Sequence, residues 1–220
     1  MRALLFVMNP REIPECLEAI EALDVDRCWL TGMRELDLVP HFARVVEETS
    51  YDVYLVVSDD AAPTQEALDS VLALLEDGHP VVTGYCNLDE GDYRDVVNLT
   101  RRPLGGPVPN ADVYVTYRLD EVLEHPVDPV PSWFAGFTLT GMSREMWQRY
   151  PFEVLFPETG GSCSDFWFSW RLQRDGIPIV APKAGFVRHV KERWNVADSR
   201  PGKRLLIGEV EPRVRLEVAA

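Results

Sequence analysis

The sequence lacks the features that identify several common classes of protein. No apolar run approaches the roughly 20 residues that a membrane-spanning helix needs. The four cysteines are scattered, and no two have the Cys-x-x-Cys spacing of a zinc or redox site. The short apolar run at residues 1–8 has no cleavage site after it, so we expect no signal peptide. These absences predict a cytoplasmic protein with reduced thiols and no stable insertion into a membrane.

A glycine-rich phosphate-binding loop is also missing. Neither G-x-G-x-x-G nor a P-loop follows the first predicted strand, at residues 2–8. In both motifs the glycines let the backbone approach a phosphate closely. Their absence argues against a simple NAD-binding protein and against a P-loop kinase.

Positive charge is scarce over most of the chain. The 220 residues carry a formal net charge of −14. Residues 183–220 hold nine Lys and Arg against five Asp and Glu, so the first 182 residues carry −18. A body this acidic repels polyanions, which makes nucleic acid a minority partner. The basic end is the one stretch whose charge suits a phosphate-rich partner, although an ordinary solvated tail is the simpler interpretation.

Apolar patterns alternate between strand and helix in the first 80 residues. Strands are predicted at residues 2–8, 27–31 and 53–57, and helices at residues 14–23 and 64–77 and around Leu38 to Val46. This alternation is typical of a parallel sheet with right-handed crossovers. Beyond residue 85 the rhythm changes, and residues 94–100 and 111–118 read as antiparallel additions to that sheet. The fold class predicted is therefore α/β, a Rossmann-like, mostly parallel central sheet with helices on both faces and a small antiparallel addition.

Two carboxylates end the most strongly apolar strand. Val53 to Val57 is a continuous apolar run, and Asp59 and Asp60 follow it directly. Ligands of open α/β sheets bind beyond the carboxyl ends of the strands, where adjacent carboxylates can hold a hard divalent cation and its phosphates. Capping of the following helix is the alternative role for these two residues.

The order of motifs resembles the GT-A glycosyltransferases, especially the family-2-like members that use nucleotide sugars. Each motif is short, but together they cover about residues 1–190 in the family's order. The matching stretches are the DXD-type strand at 53–60, the next strand at 80–84, the acceptor-side segment FAGFTLTGMSREM at 134–146, the Glu-Asp helix at 164–176, and the ending at 177–180 with His189. Two positions depart from the pattern, since Ser58 stands where the first Asp of DXD is common and Ser164 where a Glu often precedes the catalytic Asp.

The resemblance implies an arrangement of domains. Residues 1–194 are expected to form one GT-A-like domain, with a nucleotide-sugar-binding half at 1–100 and an acceptor-side half at 101–194. Residues 195–220 are expected to be a basic, loosely docked tail.

The resemblance also implies the chemistry. It predicts an inverting hexosyltransferase that uses Mn²⁺ or Mg²⁺, with Asp60, Asp59 and His189 as candidate metal ligands and Asp165 as the general base. A structural role at a helix start is the alternative for Asp165. Six residues are expected near the nucleotide or its phosphates, because each is close in sequence to a predicted strand end or to a candidate metal ligand. They are Asn9, Arg11, Arg34, Ser58, Asp59 and Lys191.

The partners expected are a nucleotide-sugar donor, with a UDP-sugar first, and an acceptor hydroxyl. The apolar residues Trp133 and Phe134 beside Gly136 form a candidate acceptor-binding surface. A saccharide, a lipid-linked glycan, a protein or, less favoured, a modified nucleic acid all fit as acceptor. Two alternatives stay open: a sugar nucleotidyltransferase, although residues 8–11 lack that class's glycine-rich basic loop, and a catalytically degenerate binding protein.

Overall fold

A computed structural model describes residues 1–33, 35–88, 95–108, 115–153, 155, 164–190 and 211–219. Within these ranges the chain forms twelve strands and six helices. In chain order they are β1 (Ala3–Asn9), α1 (Pro14–Glu21), β2 (Asp26–Thr31), α2 (Glu35–Glu48), β3 (Val53–Ser58), β4 (Ala61–Ala62), α3 (Gln65–Glu76), β5 (Val81–Thr83), β6 (Val96–Thr100), β7 (Thr116–Arg118), α4 (Leu119–Leu123), β8 (Val130–Ser132), β9 (Thr140–Ser143), α5 (Arg144–Arg149), α6 (Ser164–Arg174), β10 (Ile179–Ala181), β11 (Arg188–His189) and β12 (Arg213–Glu217).

Eight strands form one central sheet in the order β12-β2-β1-β3-β9-β5-β10-β8. Strand β1 pairs in parallel with β2 and β3, and β5 pairs in parallel with β10. Strand β9 runs antiparallel between β3 and β5, and β12 and β8 are antiparallel edge strands. Five strands therefore share one direction and three oppose it, which confirms the prediction of a mostly parallel α/β sheet.

A glycine permits β9 to lie in the middle of the sheet. A Cβ atom at Gly141 would lie 2.7 Å from Cδ1 of Leu75 and 3.2 Å from Cγ of Leu55. The space that a side chain would need is thus filled from α3 and from the neighbouring strand β3. Real Cβ atoms essentially never show a 2.7 Å contact, so a side chain at position 141 would force Leu75 and Leu55 to shift.

Helices cover both faces of the sheet because successive strand residues point to opposite sides. Leu4 and Phe6 belong to one core cluster, together with residues of α2, α5 and α6. Leu5 and Val7 belong to the other, together with residues of α1 and α3. Burial of β1 on both faces explains its uninterrupted apolar sequence. Among the described helices, none combines the length and apolar character needed to cross a bilayer.

Two short pairings differ from the pattern read in the sequence. Strands β6 and β7 form a separate two-stranded sheet, so the prediction that they extend the central sheet was wrong. Residues Ala61 and Ala62, for which no strand was predicted, form β4 and pair with β11. Both pairings depend on contacts between distant parts of the chain, which a local apolar pattern does not encode.

The end of the chain also joins the central sheet. Strand β12 pairs with residues 27–31 of β2, from Arg213 opposite Thr31 to Glu217 opposite Arg27. The indole nitrogen of Trp29 donates a hydrogen bond of 2.7 Å to the Glu217 carboxylate. The alternation of Val214 and Leu216 with charged residues is typical of a strand, and the interpretation of this region as a loosely docked tail overlooked it.

Candidate functional site

The predicted site lies where the order of the sheet reverses. From β1 the chain crosses to β2 on one side and later returns to β3 on the other side of β1. Such a switch point leaves a crevice beyond the carboxyl ends of the two central strands, and ligands of α/β proteins bind there. The loop after β1 carries Arg11, and β3 is followed by Asp59 and Asp60. These three side chains meet at that end of the sheet.

Arg11 is bound to Asp59 by several hydrogen bonds. Nη2 of Arg11 lies 2.6 Å from Oδ1 of Asp59, and Nε lies 3.0 Å from Oδ2. The backbone N–H of Arg11 also donates to Oδ2 of Asp59, at 2.9 Å. Asp59 is only 2% exposed, so its negative charge depends on this partner.

The environment of the pair changes the acidity of both groups. Burial opposes ionisation of Arg11, yet hydrogen bonds and charge from Asp59 and Asp60 outweigh it and raise the pKa of the guanidinium. Burial raises the pKa of Asp59, and the hydrogen bonds and charge of Arg11 oppose that rise. Arg11 therefore stays positively charged throughout the physiological pH range.

Asp60 presents its two oxygens to different partners. The Ser58 hydroxyl donates to Oδ1 at 2.7 Å. Oδ2 faces Nη2 of Arg11 at 3.2 Å and Nε2 of His189 at 3.6 Å. Burial disfavours the ionised form, but His189, Ser58 and Arg11 together hold the pKa of Asp60 below its usual value. The departure from DXD at position 58 therefore supplies a hydroxyl that orients Asp60.

Backbone pairing brings His189 to Asp60 from more than a hundred residues away. His189 lies opposite Ala61 in the β4–β11 pair. The N–H of Val190 donates to the carbonyl oxygen of Asp60 at 2.8 Å. Asp60 and His189 are therefore held together by the strands that carry them.

The carbonyl of Asn87 sets the orientation of the His189 ring and was missed by sequence reasoning. Nδ1 of His189 lies 2.8 Å from this oxygen. A carbonyl only accepts, so Nδ1 carries a proton, and in the neutral form of the ring Nε2 is the nitrogen with the free lone pair. Asn87 follows β5, another parallel strand of the sheet. Residues after the carboxyl ends of such strands are candidates for a ligand site, and Asn87 could have been identified as one on that ground.

Asp60 and His189 have the donor atoms that suit a divalent cation. Neighbouring ligands of an octahedral ion with bonds of about 2.1 Å lie about 3 Å apart, and Oδ2 and Nε2 are 3.6 Å apart. A backbone carbonyl orienting the opposite ring nitrogen is a common support for a metal-bound histidine. Within the described residues, no group of three or more His, Cys, Asp or Glu side chains is arranged around a metal position. Asp59, the other acid of the predicted set, is engaged by Arg11.

Asn9, predicted near the nucleotide, holds the loop after β1 in place. Its side-chain N–H donates to the Thr31 hydroxyl at 3.3 Å, and its Oδ1 accepts from the N–H of Glu12 at 2.9 Å. Glu12 has a left-handed φ of 56°, which is strained for a residue with a side chain. Asn9 stabilises that conformation and with it the approach of Arg11. Arg34 and Lys191 lie outside the described residues.

The predicted acceptor residues have different environments. Phe134 is 3% exposed and packs on Phe166 with ring centres 4.7 Å apart, so its ring offers almost no surface to a ligand. Trp133 is 39% exposed, so its ring, unlike that of Phe134, is accessible to a ligand. A Cβ at Gly136 would lie 2.9 Å from Nδ2 of Asn98, so glycine there lets the chain pass close to this amide.

Asp165 lies in the first turn of α6, and a chain of contacts links that helix to the carboxylates. The N–H of Ala135 donates to the Ser169 hydroxyl of α6 at 3.0 Å. The N–H of Ser58, at the end of β3, donates to the carbonyl of Phe137 at 2.7 Å. The segment 135–137 thus contacts both α6 and the strand that carries Asp59 and Asp60. The Asp165 carboxylate accepts from the N–H of Phe166 at 2.8 Å.

Comparison with known proteins supports the fold. No family model and no curated protein matches the sequence. The crystal structure of A197 from STIV matches with a TM-score of 0.56 and 17% identity, over 84% of this chain and 83% of A197. GalNAc-T7, in a structure with UDP, GalNAc and Mn²⁺, matches with a TM-score of 0.53 and 8% identity, over 86% of this chain. The present chain spans 43% of GalNAc-T7. The protein therefore has a GT-A-like α/β fold.

Proposed function

We propose that this protein is a glycosyltransferase that moves a sugar from a nucleotide-sugar donor to an acceptor hydroxyl. The observation that carries the proposal is the position of Asp60, which lies at the β1–β3 switch point between Ser58, Arg11 and His189. Nucleotide ligands bind at such switch points. An arginine beside an ionised carboxylate suits the recognition of a diphosphate together with its divalent counter-ion.

Asp60 and His189 are the residues that would hold Mn²⁺ or Mg²⁺. When bound, the ion neutralises the charge that develops on the diphosphate leaving group. Ser58 keeps Oδ1 of Asp60 fixed, so that Oδ2 is presented to the ligand side. The Asn87 carbonyl keeps Nε2 of His189 turned towards the same place. Preset orientation lowers the cost of ordering these groups when the donor binds.

Asp165 is proposed as the general base of an inverting transfer. Such a base removes the proton of the acceptor hydroxyl while that oxygen attacks the sugar carbon. The N-terminal turn of α6 favours the ionised carboxylate, because unpaired backbone N–H groups give that end of a helix partial positive charge. The exposed ring of Trp133 is proposed to contact the acceptor, which can be a saccharide, a lipid-linked glycan or a protein.

The test is donor hydrolysis by the purified protein. A panel of nucleotide sugars is incubated with Mn²⁺ or with EDTA, and free nucleotide is measured. We expect metal-dependent release from one donor, with a UDP-sugar first, and a loss of at least about a hundredfold in Asp60→Asn, since that change removes the carboxylate charge that would hold the divalent ion at the diphosphate. Asp69→Asn, an acid on α3 that contacts Gln65, is the matched control and should retain wild-type release.

The role of Asp165 needs an acceptor. Once a donor is known, transfer to candidate acceptors is compared with hydrolysis in Asp165→Asn. Loss of transfer with retained hydrolysis supports the base, because water can attack the donor without being positioned beside that group. Absence of both nucleotide binding and release with every donor would refute the transferase. Release of pyrophosphate from a nucleoside triphosphate and a sugar phosphate would instead support the nucleotidyltransferase alternative.

A further inference from the structure

We infer that Arg11 and a divalent cation compete for one atom, Oδ2 of Asp60, so that Arg11 sets the metal affinity of the site. The inference rests on the proposed function, because it concerns the same carboxylate. It adds a property that neither the sequence pattern nor the fold assigns: a cation supplied by the chain itself occupies part of the metal position.

The partners of Asp60 favour one of its two oxygens for a cation that His189 also binds. Oδ1 accepts the hydroxyl of Ser58 at 2.7 Å. Oδ2 is the oxygen that faces His189, at 3.6 Å from Nε2, and it is also the oxygen that Nη2 of Arg11 contacts at 3.2 Å. A cation shared by Asp60 and His189 therefore has to approach the atom that Arg11 already neutralises.

Arg11 cannot move away without leaving the buried carboxylate of Asp59 unpaired. Its Nε and Nη2 atoms both contact Asp59, which is 2% exposed, and its backbone N–H is bound to the same carboxylate. The contact with Asp60 is single and longer, 3.2 Å against 2.6 Å to Asp59. The guanidinium is thus held mainly by Asp59, and a cation that binds Asp60 would break the contact between Arg11 and Asp60 first. Even when that contact breaks, a fixed positive charge remains beside the metal position and repels a second cation.

The experiment measures Mn²⁺ affinity without nucleotide, from the electron paramagnetic resonance signal of the free aqueous ion. Removing Arg11 alone would leave Asp59 buried and unpaired, so the principal variant is Arg11→Gln with Asp59→Asn. This double variant has the same net charge as the wild type, which leaves long-range attraction of the ion unchanged. We expect its Mn²⁺ affinity to rise by at least about tenfold, within the usual range for two ligands coupled through one site.

Two controls locate the effect. Arg188→Gln removes an exposed charge on β11 that lies 3.9 Å from the Glu15 carboxylate. It should change the Mn²⁺ affinity by less than about threefold. Adding Asp60→Asn to the double variant should abolish the gain. Circular dichroism confirms that each variant is folded.

The competition is refuted if the double variant binds Mn²⁺ no more tightly than the wild type, if neither binds it, or if the gain survives Asp60→Asn. These results are independent of donor release. If the double variant shows the competition but the protein releases no nucleotide, this inference stands and the proposed transferase activity is refuted. If the protein releases nucleotide but shows no competition, the transferase activity stands and this inference is refuted.

Discussion

The two sides of the crevice are stabilised by different interactions. On the proposed donor side, at the ends of β1 and β3, charged groups hold one another, with Arg11 between Asp59 and Asp60. On the proposed acceptor side, residues 132–143, the chain is held by close packing and neutral hydrogen bonds, such as that from Asn98 to the Thr138 hydroxyl at 2.8 Å. A change of charge should therefore be costly on the first side, and a change of volume on the second.

The largest effect is expected from Arg11→Ala. It leaves the buried carboxylate of Asp59 without its partner, and breaking such a pair costs about 3–5 kcal/mol of unfolding free energy. Urea denaturation followed by fluorescence measures the loss. Arg11→Gln with Asp59→Asn should recover most of it, since no unpaired charge remains. A loss below about 1 kcal/mol in the single variant would mean that solvent or another group satisfies Asp59.

A smaller loss is expected on the acceptor side from Gly141→Ala. The added methyl group meets Leu75 and Leu55 at distances below normal contact, and overpacking of this kind costs about 1–3 kcal/mol. Gly106→Ala is the matched control, because nothing lies within 4 Å of its Cβ position. Equal unfolding free energies of the two variants would contradict the close packing of β9 between β3 and β5.

The smallest effect is expected from Ser58→Ala on the donor side. It removes one hydrogen bond to Asp60, which is partly exposed, so water can replace the hydroxyl and the loss should be about 1 kcal/mol. Ser58→Thr keeps the hydroxyl and should be close to the wild type in thermal unfolding. If Thr were as destabilising as Ala, packing around position 58 would matter more than the hydrogen bond to Asp60.

Local signals in the sequence predicted much of the parallel half. The buried strands β1 and β3 are apolar because both of their faces are covered. Ser143 is a residue type that favours the start of a helix, and its hydroxyl accepts from the N–H of Met146 at 3.3 Å in α5. Gly176 follows α6 and has a left-handed φ of 69°, which favours glycine.

Interactions between distant residues could not be predicted in the same way. The β4–β11 pair joins residues 61–62 to 188–189, and β12 joins the end of the chain to β2. Strands β4 and β11 have two residues each, which is too short for a pattern, and the alternation of Val214 and Leu216 in β12 does not say which strand it pairs with. The family resemblance named His189 as a metal ligand, and that role stays a prediction; the Asn87 carbonyl that orients the ring is a backbone atom and leaves no mark in the residue types.

The sequence by itself determined the alternation of strands and helices, the two carboxylates after β3 and the mostly parallel sheet, because apolar periodicity and turn residues act locally. Only the tertiary structure decided how the charges are shared. Asp59 forms an ion pair with Arg11, whereas Asp60 lies between Ser58, Arg11 and His189. Two adjacent aspartates look equivalent in a sequence, but the backbone directs one into the protein and the other towards the crevice, and burial then gives them different partners.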